Sequence, residues 1–296
     1  MKTNRMLALI MALLIVTLTA AGAEPDPVAR AASQYAELDG IKIHYKSLGE
    51  GREALVFIHG WTCNLNFWRF QAPAFAGETR VLLVDLPGHG QSDKPEITYT
   101  MDLFARAIEA VMRAAKVDRA VLAGHSMGTP VVRQFYRLYP QKTLALVVVD
   151  GALRSYFKDP AQAEPFIAPL RGPNYKAAAA RFVDGMLPQT MPAALRDEIR
   201  GVMTSAPQHV GVGAMEGMFK DMAIWKPDPI RVPLQLLLAA SPEWSADYKK
   251  FVRGLAPQVD YRTFSGVSHF LMMEQPNAVN RALQEFLVKN RLLGFK

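Results

Sequence analysis

The 296-residue sequence predicts an α/β fold: a mostly parallel central sheet flanked by helices, with a helical cap inserted over it. Three observations carry this. Continuous apolar runs of strand length alternate with helix-length segments. A serine between two glycines stands where one of those strands gives way to a helix. The alternation stops after Asp150 and resumes near Val232. Half of the residues are hydrophobic, enough for the large core of an enzyme-sized domain.

In chain order, Lys2 and Arg5 precede an uncharged apolar run, Met6 to Thr19, that ends in Ala20-Ala21-Gly22-Ala23. This pattern predicts a secretory signal peptide over residues 1–23, hence export to the periplasm or beyond and no stable membrane insertion after cleavage. An uncleaved anchor is the alternative, but the apolar stretch is short for a spanning helix. No cysteine follows the cleavage position, so lipid attachment there is not expected.

Tyr35 to Leu38 and Ile41 to Tyr45 flank Asp39-Gly40, the signature of a hairpin, so the sheet opens with antiparallel strands. Ala54 to Ile58, Val81 to Val84, Ala120 to Ala123 and Leu144 to Val149 are apolar throughout, as strands covered on both faces require. Helices are expected between them over Asn66 to Phe75, Met101 to Ala115 and Met127 to Leu138, the last ended by Pro140. Residues 152–230 offer helix-like pieces, Tyr175 to Met186 and Ala193 to Met203, and no convincing strand. They are read as a helical cap, with residues 24–151 and 231–296 forming the core. A strand at Val232 to Leu238, a helix from Trp244 to Leu255, a strand at Val259 to Phe264 and a helix from Asn277 to Asn290 complete the chain.

Losing residues 1–23 would lower the formal charge from +7 to +5. Lysines and arginines occur singly, with no basic tract, which argues against a nucleic-acid partner. Cys63 is the only cysteine, so an internal disulfide is excluded and a buried role near the site is expected.

The chemistry gathers around Gly124-His125-Ser126-Met127-Gly128, a G-x-S-x-G elbow between a strand and a helix. Small residues are needed on either side of the serine because side chains there would clash as the chain reverses. A serine hydroxyl is a weak nucleophile at neutral pH, so the elbow demands a histidine base and a carboxylate elsewhere. His269 follows the last strand in a loop, a combination that His44, His59, His89, His125 and His209 lack. His59-Gly60-Trp61 directly follows an earlier strand, placing the amides of Trp61 and Met127 as an oxyanion hole. Asp85, His89 and Asp93 belong to a Gly-rich loop and are read as structural. No metal-ligand spacing occurs, so no metal is expected.

Together, His59-Gly60-Trp61, the segment Asp85 to Asp93, the elbow, and Gly266-Val267-Ser268-His269-Phe270 resemble the α/β-hydrolase superfamily. The likeness is to its single-domain esterase, haloperoxidase-like and C–C hydrolase branch, and it covers nearly all of the mature chain outside the cap. It implies a Ser-His-acid triad and exposes a departure from the family pattern. Most members carry the acid a few residues beyond the strand that corresponds to Leu234 to Ala239, but Pro242 stands at that place here. Glu243 is one position late. Asp150, after the strand that follows the elbow helix, is the preferred acid, with Glu243 the alternative.

The expectation is an exported serine hydrolase of carboxylic esters or lactones that needs no cofactor. Met186, Met191, Met203, Met215, Met218 and Met222 give the cap adaptable apolar surface, which favours a small-molecule substrate with an apolar acyl or aromatic part. C–C bond hydrolysis, cofactor-free perhydrolysis and ligand binding with little turnover are the alternatives. Dehalogenase and epoxide hydrolase chemistry is disfavoured, because those relatives place aspartate where Ser126 stands. The sequence does not specify an oligomeric state.

Overall fold

A computed structural model describes residues 26–295, so the leader expected over residues 1–23 lies outside the described residues. The strands are β1 (Ser33–Leu38), β2 (Ile41–Leu48), β3 (Glu53–Ile58), β4 (Arg80–Val84), β5 (Arg119–His125), β6 (Thr143–Val149), β7 (Leu234–Ala239) and β8 (Asp260–Phe264). They form one sheet in the order β1-β2-β4-β3-β5-β6-β7-β8. β1 and β2 pair antiparallel, as do β2 and β4. The rest of the sheet is parallel. Asp39 and Gly40 have φ of 51° and 82°, the doubly left-handed turn that a two-residue hairpin favours.

The apolar runs are buried on both faces of the sheet, with Leu55 to Ile58, Val81 to Val84 and Ala145 to Val148 all fully inaccessible. Helix Met101–Ala114 begins where the Thr100 side chain accepts from Leu103 N–H at 3.0 Å, and it buries Phe104, Ile108 and Val111 at helical spacing. Helix Ala246–Leu255 is capped by Ser245 and buries Tyr248, Val252 and Leu255. Helix Pro276–Lys289 starts on its proline, where the missing N–H costs no hydrogen bond.

The helix expected over Asn66 to Phe75 is two short pieces, a 3₁₀ turn at Leu65–Trp68 and a helical turn at Ala72–Phe75. Pro73 is the physical reason: it fits only in the first turn of a helix, so the chain restarts at Ala72.

Among the described residues, the stretch between β6 and β7 holds helices Glu164–Arg171, Tyr175–Asp184, Ala193–Met203 and Gln208–Phe219, and no strand. The first and last escape a pattern reading. One contains Pro169, and the other carries Gly211, Gly213 and Gly217. Gly217 is there for approach: a Cβ on it would sit 1.9 Å from the Tyr99 carbonyl oxygen, so only glycine lets this helix lie against the start of helix Met101–Ala114. The return into β7 is held by Arg137, which donates to the carbonyls of Ile224 (2.6 Å) and Lys226 (2.7 Å) and to the Asp228 carboxylate (2.8 Å).

The strand order reverses between β3 and β5, parallel neighbours whose onward connections lead to opposite edges of the sheet, β3 to β4 and β5 to β6. In open parallel sheets, ligands bind beyond the carboxyl ends of strands at such a point. His59-Gly60-Trp61 follows β3 there, and Ser126 follows β5.

Candidate active site

Ser126 has φ of 53°, a left-handed conformation that a residue with a side chain rarely adopts. It is held by its own N–H donating to Val149 O (3.1 Å) and by Thr129 N–H donating to its carbonyl (2.9 Å). Steric room makes the turn available. A Cβ on Gly124 would lie 2.3 Å from Gly128 O, and one on Gly128 would lie 2.6 Å from Ile58 O. Helix Gly128–Leu138 then runs away from the serine with its amino end facing the site, where oriented amides favour negative charge.

Asp150 follows β6, again in a left-handed conformation with φ of 43°, and is 7% exposed. One carboxylate oxygen accepts from Ala239 N–H at the end of β7 (2.8 Å), and the other meets His269 Nδ1 at 2.7 Å. A carboxylate can only accept, so Nδ1 carries the proton and Nε2 keeps its lone pair. Glu243 is exposed; its N–H donates to Ser241 Oγ (3.2 Å), and among the described residues its carboxylate makes no hydrogen bond to His269. Of the two carboxylates that the sequence leaves open, Asp150 is the one that meets His269.

The amides of Trp61 and Met127 have no hydrogen-bond acceptor among the described residues. Trp61 also ties the core to the cap: its Nε1–H donates to Gly211 O (2.8 Å), and its ring meets Phe182 edge-on at 5.2 Å. His59 braces this loop, its Nδ1 2.8 Å from Gly60 O and its Nε2 accepting from Leu86 N–H at 3.1 Å. Cys63 is buried beside the site, and burial pushes its thiol far above the range in which a thiolate would form.

Three groups to which the motifs assign no role hold His269 or the residues next to His269 and Asp150. His125 Nε2 lies 2.9 Å from the His269 carbonyl oxygen, and the two rings are 4.7 Å apart. A carbonyl only accepts, so Nε2 is the protonated nitrogen. Burial, with His269 beside it, keeps the His125 imidazole well below the usual histidine range, so the ring is neutral. Glu274 accepts from both Ser268 N–H (2.8 Å) and Ser268 Oγ–H (2.6 Å). Tyr248 OH accepts from Leu153 N–H (3.0 Å), fixing the chain just beyond Asp150. The partners of His125, Glu274 and Tyr248 include main-chain atoms, which leave no trace in a residue pattern.

The Gly-rich loop is structural, as its composition implies. Asp85 accepts from Leu65 N–H (2.7 Å) and Gln91 N–H (2.9 Å) and meets His44 Nδ1 at 2.7 Å. Burial alone would raise this carboxyl, but the His44 contact, neighbouring His59 and the two amides together hold it low. Asp93 accepts from Lys42 N–H (2.8 Å), and His89, 2.9 Å from Pro87 O through Nδ1, is pushed down to about 3 by burial.

Ser126, His269 and Asp150 all border one cavity of about 680 Å³. Its far wall belongs to the cap and is apolar, with Phe182, Met186, Met203, Met215, Met218 and Trp225. That volume suits a ligand well beyond acetate in size. Met191 and Met222 lie outside the cavity lining. Among the described residues, no helix is long and apolar enough to cross a membrane, and no group of three or more His, Cys, Asp or Glu is placed to hold a metal ion.

Residues 53–229, more than half of the chain, match the alpha/beta hydrolase fold family. The chain belongs to the α/β-hydrolase family. Curated relatives match over shorter stretches. A dihydrolipoyllysine-residue acetyltransferase component of the acetoin cleaving system from Pseudomonas putida is 38% identical over 122 residues, 41% of this chain and 33% of the relative. A 2-hydroxy-6-oxononadienedioate/2-hydroxy-6-oxononatrienedioate hydrolase from Paraburkholderia phymatum is 38% identical over 120 residues, 38% of this chain and 40% of the relative. The α/β-hydrolase chain thus spans well under half the length of either. Among solved structures, an N-acyl homoserine lactone degrading enzyme superposes with a TM-score of 0.69 at 26% identity, over 86% of this chain and 100% of that one. The enol-lactonase from Burkholderia xenovorans LB400 gives a TM-score of 0.76 at 21% identity, over 86% of this chain and all of that one, a likeness of fold.

Proposed function

We propose that this α/β-hydrolase is an exported serine hydrolase that cleaves a carboxylic ester or lactone with an apolar acyl or aromatic part. One observation carries the reading: Ser126, held at a strained turn, shares a cavity with His269, whose Nδ1 is bound to Asp150 and whose Nε2 is left as an acceptor. In the reaction, Ser126 Oγ attacks the substrate carbonyl while His269 Nε2 takes its proton. Asp150 holds the imidazole in the productive tautomer and stabilises the imidazolium. The amides of Trp61 and Met127 donate to the oxyanion, aided by the helix amino end. His269 returns the proton to the leaving alkoxide, leaving the acyl group on Ser126 Oγ; a water deprotonated by the same imidazole then attacks that carbonyl, the acyl–Oγ bond breaks to release the acid, and the imidazolium returns its proton to Ser126 Oγ. Among relatives, the 26%-identical N-acyl homoserine lactone degrading enzyme supports a lactone or acyl substrate.

C–C bond hydrolysis at the same residues is the second reading, favoured by the name of the Paraburkholderia phymatum relative. A fluorophosphonate probe tests the first step for both readings: mass spectrometry should place the adduct on Ser126, and a folded protein that takes no label refutes the nucleophile. Graded p-nitrophenyl esters then test the substrate class. Each buried CH₂ is worth about 0.8 kcal/mol, so kcat/KM should rise at least about tenfold from acetyl to hexanoyl. A flat or falling series would overturn the apolar acyl site. Export predicts a mature amino terminus at Glu24, read by sequencing protein recovered from the periplasm or medium.

A further inference from the structure

We infer that His125 and Glu274 are positioning residues that clamp the His269 loop from both sides and thereby set the base against the nucleophile. The inference rests on the proposed roles of Ser126 and His269. After β8 the chain turns at Gly266, with φ of 70°, and residues 265–269 stay at least partly exposed, so burial does little to fix them. Hydrogen bonds supply what packing does not. His125 Nε2–H holds the main-chain carbonyl of His269 itself. One oxygen of Glu274 takes both protons offered by the preceding residue, Ser268. The imidazole is then aimed by Asp150.

His125 is also the covalent neighbour of Ser126. The turn that presents the nucleophile therefore also holds the base, and the separation of the two is set within one dipeptide. The far side of the ring completes the arrangement: a Cβ on Gly60 would come within 3.0 Å of His125 Nδ1, so the ring packs directly on the loop that leads to Trp61. A neutral donor suits this place. An ammonium or guanidinium beside His269 would oppose the imidazolium that forms during turnover.

Two pairs of variants test the clamp. His125→Leu keeps bulk and removes the donor, whereas His125→Gln keeps an N–H near the position of Nε2. Glu274→Leu removes the acceptor, and Glu274→Gln retains one. A misplacement of the order of 1 Å costs about 100-fold in rate, so each Leu variant should lose 10- to 100-fold in kcat with KM within about twofold. Each Gln variant should recover to within about fivefold of wild type, and the rate of phosphonate labelling at Ser126 should follow kcat. Melting curves accompany each measurement. Leu variants that keep wild-type kcat overturn the clamp, as do Gln variants that melt normally yet recover nothing. If His125→Leu does not fold, the Glu274 pair decides alone by the same criteria. A labelled wild type with unaffected variants defeats only the clamp, whereas a folded wild type that neither labels nor hydrolyses defeats the serine-hydrolase reading beneath it.

Discussion

Asp150→Asn is the sharpest test of the proposed mechanism, because the geometry dictates which way the new amide turns. Asp150 accepts twice, from Ala239 N–H at 2.8 Å and from His269 Nδ1 at 2.7 Å. Asparagine can accept with one end only, since its other end is an NH₂ donor. The Ala239 amide is fixed backbone and cannot become an acceptor. The imidazole can, by moving its proton from Nδ1 to Nε2. The amide oxygen therefore turns to Ala239 and the NH₂ to His269, leaving Nε2 protonated and unable to take the proton of Ser126. Tautomer inversion of this kind lowers kcat by about 10⁴-fold in a Ser-His-Asp triad. At 1.36 kcal/mol per tenfold, the loss is about 5 kcal/mol. Glu243→Gln alters an exposed carboxylate with no bond to His269 and should change kcat by no more than about twofold. Steady-state hydrolysis of p-nitrophenyl butyrate, with circular dichroism to confirm folding, measures both. An Asp150→Asn protein with more than a tenth of wild-type kcat would refute the argument, as would a Glu243→Gln protein that loses more than tenfold.

Three further outcomes follow from contacts elsewhere in the molecule. Gly124→Ala puts a methyl group 2.3 Å from Gly128 O, and overpacking against backbone should cost about 3 kcal/mol in urea unfolding along with most of the activity; a loss below 1 kcal/mol would show the elbow to be pliable. Trp61→Phe removes the donor to Gly211 O, which should cost about 1–2 kcal/mol and, by loosening the residue whose amide is proposed to hold the oxyanion, lower kcat more than it raises KM; an unchanged kcat would separate cap from oxyanion hole. His59, His89 and His125 are buried with lowered pKa values, so the unfolded chain binds protons that the folded one refuses. Their contribution is present above the unfolded histidine value of about 6.5 and is lost as pH falls below it, by up to about 1.4 kcal/mol per pH unit for each ring. Urea unfolding at pH 7.5 and 5.5 reads this, and a flat profile would contradict it.

Legibility in the sequence tracks how local each constraint is. The two-sided burial of β3 to β6 appears as unbroken apolar runs, and the turn at Ser126 appears as its two glycines, because both are consequences of immediate backbone surroundings. The pairing of His269 with Asp150 rather than Glu243 is of another kind. Both carboxylates follow neighbouring strands, β6 and β7, and which one reaches the histidine is decided by side-chain direction at the sheet's edge. The helix Gln208–Phe219 was hidden because three glycines, poor helix formers in isolation, are placed there for close approach. His125 and Glu274 gave no signal, because one holds a main-chain carbonyl 144 residues away and the other acts through a serine amide and hydroxyl.

Asp150, the proposed acid, sits after β6 within a set of contacts that follows the strand order. At the carboxyl edge of the sheet, Ser126 N–H donates to Val149 O on β6, and Asp150 N–H donates to Leu237 O on β7. Ala239 N–H returns to the Asp150 carboxylate, and Ala240 N–H donates to Phe264 O at the end of β8, from which the His269 loop departs. Ser126, Asp150 and the His269 loop are thereby registered by one series of hydrogen bonds from β5 to β8. Two residues of this series, Ser126 and Asp150, are in left-handed conformations that cost on the order of 1–3 kcal/mol each. Strain of that size persists only where the surroundings over-determine it, and here the adjoining strands do so. An acid after β7 would join β6 to this series through its main chain alone; the Asp150 carboxylate adds a side-chain bond from β6 to Ala239 N–H at the end of β7, while Ser241 and Trp244 form part of the cavity wall. With Pro242 where most of the family carries its acid, His269 thus still has a carboxylate partner in Asp150, and the segment after β7 is left to wall the cavity.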